Sequence, residues 1–177
     1  PKGWKTIPVK YIVTISHGTD PKTKGDIPVY GSGNSSFKTC GEFKIGPCVL
    51  LGRKGATLNI PHFITGKYWN VDTAFDVKPK NGKCNLRFFY YCSICFDYQF
   101  YISQTTLPGM TQKNYYEMEV PYPSLLMQQN IADYLDAKCA KIDSIIQKKQ
   151  ELLTNLDSYK KSLIYEYVTG KKEVPAV

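Results

Sequence analysis

From Ser124 to Thr169 the chain carries neither glycine nor proline, whereas the 123 residues before it hold 12 of the 13 glycines and 10 of the 11 prolines. A stretch so free of backbone punctuation predicts one long helix. At about 1.5 Å per residue such a helix runs roughly 65–70 Å, longer than a small domain is wide. Its apolar residues recur at heptad steps. Leu135, Ile142, Leu156 and Leu163 form one row, interrupted by Lys149. Cys139, Ile146, Leu153 and Tyr167 form a second, interrupted by Lys160, and Ile145, Leu152 and Tyr159 a third. Two rows suit a simple coiled coil; three make a wider apolar face that needs a partner. The competing reading is a helix folded back onto its own domain.

The ends of this helix are also written in the sequence. Ser124 follows Pro121-Tyr122-Pro123 and suits an N-cap, because its hydroxyl accepts from an unpaired backbone N–H. A complete capping box wants Glu or Gln three residues on, where Met127 stands. Gly170 suits the left-handed position after the last turn, and Lys171 and Lys172 complement the negative end of the helix dipole.

The 177 residues allow one ordinary domain plus this extension. Residues 1–123 carry 15 Lys/Arg against 8 Asp/Glu, whereas residues 124–177 carry 8 against 7. The positive excess therefore belongs to the first part, and a basic, aromatic-rich domain points to a polyanion, most commonly nucleic acid. No run of 18 apolar residues exists, so no membrane span is expected. The N-terminus shows no signal-peptide core, and the six cysteines are expected as free thiols in a reducing cytoplasm.

Along the first part, residues 9–15 read as a strand, 17–26 as a basic loop with Lys22 and Lys24, and 27–30 as a short strand. Residues 31–36 are small and polar and read as a loop. Cys48 to Leu51 reads as a buried strand running into Gly52-Arg53-Lys54-Gly55. Residues 63–77 read as mixed strand and turn, with Trp69 as a core anchor. Residues 85–99 read as a buried aromatic helix, with strand as the competitor; 100–103 and 117–120 read as further short strands. The fold class expected is α+β: a loop-rich mixed domain followed by one long C-terminal coiled-coil helix.

Gly52-Arg53-Lys54-Gly55 places two cations on a tight turn, where glycine lets backbone approach a phosphate and Arg grips a base edge or phosphate with two bonds. The spacing is not that of a P-loop, so nucleotide hydrolysis is not supported. A solvated basic hairpin is the plainer alternative. The hydroxyls and amide of Gly31 to Ser36 and the run Thr111-Gln112-Lys113-Asn114 suit polar contacts to DNA, and equally suit turn capping. Cys92-Ser93-Ile94-Cys95 is a lone C-x2-C; zinc would need further ligands from Cys40, Cys48 or Cys84, and packed core thiols are the competing reading. His17 and His62 have no evident catalytic partner. No nucleophile–base pair and no paired-carboxylate motif is found.

Four stretches together resemble the DNA specificity subunit of type I restriction–modification systems, in a half-length form. Pro1-Lys2-Gly3-Trp4 with Gly18-Thr19-Asp20-Pro21 is similar to the opening of a target recognition domain. Leu51 to Ala56 is similar to its central GRKG turn, with Trp69 to Phe75 (WNVDTAF) following. Val120-Pro121-Tyr122-Pro123 through Gln128-Gln129-Asn130-Ile131-Ala132, then Leu135-Asp136 and Ile142-Asp143, resembles the start of the family's conserved helix, although the family's Glu is Met127 here. Val168-Thr169-Gly170-Lys171 resembles its closing TGK.

The resemblance implies a non-catalytic subunit that selects double-stranded DNA, with residues 1–123 as target recognition domain, 124–170 as dimerisation and spacer helix, and 171–177 as tail. The family usually has two of each element per chain; this chain has one, so a homodimer is expected, held by Leu135, Ile142, Ile146, Leu153, Leu156 and Leu163. Modification methyltransferase subunits and restriction subunits are the implied partners. S-adenosylmethionine and ATP would belong to them, and this chain is expected to hold no cofactor and no metal. The candidate DNA contacts are Lys22, Lys24, Ser32, Asn34, Arg53, Lys54, Thr57, Gln112 and Lys113. A coiled-coil adaptor with a protein-binding head, or a thiol or zinc enzyme using Cys92 and Cys95, are the rival functions.

Overall fold

The computed structural model describes residues 3–102 and 108–175, which form two compact units, one through Ala132 and one from Asp133. The first is an α+β head. Its strands are β1 (Lys5–Pro8), β2 (Val13–His17), β3 (Ile27–Tyr30), β4 (Ser36–Cys40), β5 (Lys44–Ile45), β6 (Cys48–Gly52), β7 (His62–Ile64), β8 (Lys67–Asn70), β9 (Ala74–Pro79) and β10 (Glu119–Tyr122). Its helices are α1 (Leu86–Ile94), α2 (Tyr98–Tyr101), α3 (Gln112–Glu117) and the start of α4 (Leu125–Val168).

Strand β6 is buried along its whole length and sets the layering. In the sheet ordered β2-β9-β6-β7 it lies between β9 and β7, with Val49 opposite Val77 and Phe63 and Leu51 opposite Phe75. Successive side chains of a strand point to opposite faces. Val49 and Leu51 therefore join the main core with Ile15, Phe75, Val77, Phe89 and Tyr115, while Cys48 and Leu50 pack with Ile64 and Tyr68. An apolar run without alternation is what a strand buried on both faces requires.

A second sheet is ordered β4-β3-β8-β5, with β3 and β8 parallel. A buried polar group ties this sheet to the first. Lys44 Nζ donates to Asn70 Oδ1 at 2.7 Å and to Asp76 Oδ2 at 3.2 Å, and Tyr68 OH donates to Asp76 Oδ2 at 2.9 Å. Burying the Asp76 carboxylate is tolerable because a cation and a hydroxyl both face it.

Several local expectations change. Residues 9–15 are not one strand: Val9–Tyr11 is a turn of 3-10 helix between β1 and β2, and β1 pairs with β10. Trp69 is only half-buried, donating its indole N–H to Thr19 O; Tyr68, fully buried, is the anchor. Phe100 lies in α2 rather than in a strand, because the Asp97 side chain caps a new helical turn, and Ser103 lies outside the described residues. Glu117 closes α3, so the last strand starts two residues later. The aromatic stretch is helical as expected, but it is split: α1 ends at Ile94, and α2 starts at Tyr98.

The long helix begins as its sequence predicts. Ser124 Oγ accepts from Met127 N at 3.3 Å, so the cap forms without a complete box. In its second turn the Gln128 side chain is fully buried. Its Oε1 accepts from Asn85 N at 2.8 Å and its Nε2 donates to Pro123 O at 3.0 Å. Asn85 caps α1 with its Oδ1 and donates its Nδ2 to Gln129 Oε1 at 2.7 Å. The starts of α1 and α4 thus share one amide network.

The second unit is the remainder of the 44-residue helix. Ile142, Ile146, Leu153, Leu156 and Leu163 are exposed, as are Ile145, Leu152 and Tyr159. Gly170 closes the helix at φ +71°, and Lys172 Nζ pairs with Glu166 at 2.7 Å.

Gln128→Ala is expected to destabilise the head by about 2–4 kcal/mol, since it strands a buried N–H and a carbonyl and leaves a cavity. Gln129→Ala, at a more exposed position, should cost under about 1 kcal/mol. Urea unfolding of the two variants checks the difference.

Candidate nucleic-acid interface

Where β6 leaves the core the chain has one way to go. A Cβ on Gly52 would lie 2.2 Å from Leu58 Cα, so only glycine lets the following turn cross at this distance. Tyr115 OH, buried in α3, donates to Gly52 O at 2.6 Å and fixes the exit. The next two residues are then held by main chain on both sides. Arg53 N and Lys54 N donate to Thr73 O at 2.8 and 3.4 Å. Met110 N donates to Arg53 O at 2.9 Å, and Gly55 N to Pro108 O at 3.1 Å. Lys54 and Gly109 form a β-bridge. The Arg53-Lys54 segment is therefore a short extended piece clamped between two others, not a free hairpin tip.

Backbone clamped in this way leaves the side chains to face outward. Arg53 is 26% exposed and Lys54 45%. Arg53 Nη1 donates to the Asp72 carboxylate and, at 3.2 Å, to Asp72 O. Lys54 Nζ lies 3.8 Å from the other Asp72 oxygen.

The 31–36 loop is stitched to the same turn. Ser32 Oγ donates to Lys54 O at 2.6 Å, and Thr57 Oγ1 donates to Ser32 O at 2.9 Å. Gly33 has φ +110°, and a Cβ there would come within 3.1 Å of Thr57 Oγ1. Asn34 is exposed on this loop. Ser32 and Thr57 thus engage backbone and set the loop's position, which also carries Asn34.

Residues 112–114 lie in the first turn of α3, and Thr111 is its N-cap. Thr111 Oγ1 accepts from Asn114 N, capping α3. Gln112 Nε2 donates to Ile15 O at 2.6 Å, and Lys113 points outward near Glu117. The Arg53-Lys54 segment and the start of α3 frame a cavity of about 450 Å³ that His17 and Tyr101 also line, with Gln112 and Lys113 on its α3 side.

Lys22 and Lys24 lie on a separately braced loop. Glu42 accepts from Lys22 N at 2.6 Å, Thr23 N at 3.1 Å and Thr23 Oγ1 at 2.7 Å. The Thr23 hydroxyl, then the Lys22 and Thr23 amides, hold the Glu42 carboxyl down at about 2 against the cost of desolvation.

His17, Tyr101 and Asp72 belong to this region without having stood out as contacts. His17 stacks edge-on to Phe75 at 5.0 Å, a contact set by β2–β9 register rather than by any motif. The thiols lead elsewhere: burial pushes Cys84 and Cys92 up to about 12, which keeps them protonated and poorly nucleophilic. Among the described residues no group of three or more His, Cys, Asp or Glu is placed to hold a metal, and no helix is long and apolar enough to cross a membrane.

The Arg53-Lys54 segment at the exit of β6 thus lies beside the N-terminal end of α3, on one rim with Gln112 and Lys113. Residues 1–154 match the family described as the type I restriction modification DNA specificity domain, and the chain belongs to that family. No curated protein matches it in sequence. Among solved structures it resembles a chain from a study of complex assembly and conformational transition of the type I R-M system. That match has a TM-score of 0.76 and 17% identity over 94% of this chain and 46% of the other. It also resembles the HsdS subunit from Thermoanaerobacter tengcongensis, with a TM-score of 0.69 and 16% identity over 94% and 45%. The type I restriction–modification S subunit from M. genitalium matches with a TM-score of 0.66 and 13% identity over 80% and 40%. The chain thus spans less than half the length of each of these structures.

The Glu42 brace gives a pH prediction. A carboxylate lowered from 4.5 to about 2 supports the loop above 4.5 and loses that support as pH falls toward 2. NMR titration of Glu42 should show a midpoint near 2. In Glu42→Gln the Lys22 and Thr23 amides should lose hydrogen-exchange protection at neutral pH, while β6 keeps its own.

Proposed function

We propose that this chain is the sequence-specific, double-stranded DNA-binding specificity subunit of a type I restriction–modification complex, and that it does no chemistry itself. The observation that carries this is the clamped Arg53-Lys54 segment, which shares one cavity rim with Gln112 and Lys113. Pre-set cations beside amide groups suit a duplex, because phosphate contacts fix register while Arg, Asn and Gln read base edges. Arg53, Asn34 and Gln112 are the base readers in this account. Lys22, Lys24, Lys54 and Lys113 meet phosphates, and Ser32 and Thr57 hold the loop that presents Asn34.

The exposed rows on α4 support a homodimer through Leu135, Ile142, Ile146, Leu153, Leu156 and Leu163. Two-fold symmetry then demands an inverted-repeat site, and a rigid helix pair sets the spacer between its halves. The helices also dock the modification methyltransferase subunits, with restriction subunits beyond them. S-adenosylmethionine and ATP serve those subunits, and the complex works in the cytoplasm. An adaptor with a protein-binding head would not need cations concentrated in the head. Burial pushes the Cys92 thiol up to about 12, which does not favour Cys92 as the nucleophile of a thiol enzyme.

Methylation mapping of DNA from cells expressing the chain with its modification partner tests this reading. A bipartite inverted-repeat adenine motif is expected; unmodified DNA, or a motif with no repeat symmetry, contradicts it. Arg53→Ala should weaken binding to the mapped duplex by about 1–3 kcal/mol and leave scrambled duplex less affected. Leu156→Asp with Leu163→Asp should give monomers in sedimentation, and a persisting dimer would remove these rows from the interface.

A further inference from the structure

Asp72, in the loop between β8 and β9, faces both cations of the clamped segment. Arg53 Nη1 donates to its carboxylate and to its carbonyl, and Lys54 Nζ lies 3.8 Å from its other oxygen. The carboxylate is not needed to fasten this loop. The neighbouring Thr73 carbonyl already accepts from Arg53 N and Lys54 N, and Ala74 N donates to Val71 O at 3.0 Å. The side chain is also 52% exposed, so it meets whatever the cations meet.

A carboxylate in this place has two consequences at a DNA surface. An arginine has five N–H donors in a fixed fork, and holding one nitrogen on Asp72 orients the rest before any base arrives. The ordering cost of a long side chain is then met in the free protein instead of on binding. A negative charge beside the backbone also repels phosphates on every sequence alike, because that contact carries no sequence information. One effect favours the correct site and the other disfavours all sites.

We propose that Asp72 is a specificity-determining positioning residue: it presents Arg53 to a base edge and suppresses sequence-independent binding. The inference rests on the DNA-recognition reading above. It names no catalytic group, since Asp72 acts through Arg53.

The test is selection from a random-sequence duplex pool by the full chain with its modification partner, for wild type, Asp72→Asn, Arg53→Ala and the double variant. Thermal melting of each accompanies it, together with the salt dependence of binding to a scrambled duplex. Wild type should show a base preference that Arg53→Ala removes, a guanine by the commonest Arg pairing. Asp72→Asn should weaken that same preference by about tenfold, within the range that one Arg–base contact supplies. Affinity for scrambled duplex should rise, with a steeper salt slope and unchanged melting. In the Arg53→Ala background Asp72→Asn should change the profile no further.

An Asp72→Asn profile equal to wild type overturns the inference and leaves DNA recognition standing. So does a loss spread evenly over all positions with lowered melting, which marks a merely structural residue. An Arg53→Ala profile equal to wild type also overturns it, since Asp72 then has no reader to position. Wild type that selects no sequence at all overturns the recognition reading, and this inference with it.

Discussion

Strand β6 has no solvent face. Val49 and Leu51 enter one core, Cys48 and Leu50 the other, and burying each of the Val and Leu side chains contributes about 1.5–3 kcal/mol. A one-residue slip would exchange the two sets and break both cores, so the register of β6 is fixed strongly. The point at which the chain leaves the core is fixed with it. Gly52 lets Leu58 cross at close range, Tyr115 holds the Gly52 carbonyl, and the cations that follow inherit a defined place. Side chains on the end of a buried strand are held in more exact positions than a long loop could give.

Charge is distributed to match. Residues 1–123 carry the positive excess, while residues 124–177 are nearly balanced. Within the head the cations are not simply left in water. Lys44 is consumed between the sheets by Asp76 and Asn70, and Arg53 is held by Asp72. Lys22 and Lys24 sit on a loop whose backbone is gripped by Glu42. Each acidic partner acts differently: Asp76 neutralises, Glu42 shapes backbone, and Asp72 orients a guanidinium. Net charge alone would not separate these roles.

What the sequence made legible follows from how local the signal is. The long helix was readable because its evidence is local: no Gly or Pro, a Ser124 cap and a Gly170 stop. The apolar run of β6 and the Asn85-led aromatic helix were readable for the same reason. Trp69 misled because size suggests burial, whereas its indole N–H is used at the margin and its neighbour Tyr68 points inward. Residues 111–114 were open between contact and capping, and Thr111 proves to cap a helix. Strand β4 left little trace, being largely exposed and polar. Asp72 was invisible as a partner, since its meeting with Arg53 depends on β6–β9 pairing across 19 residues. Of the candidate contacts, the structure gathers Arg53, Lys54, Gln112 and Lys113 around one cavity, and stitches Ser32 and Thr57 to the same turn.

One face of the head, built around Arg53 and Lys54, is the surface we propose to meet the duplex. Hydrogen–deuterium exchange of the chain and its modification partner, with and without a duplex carrying the mapped site, tests that directly. Added protection should concentrate in residues 31–36, 52–57, 71–73 and 109–114. Protection confined to other parts of the head, or no difference at all with saturating duplex, would contradict it.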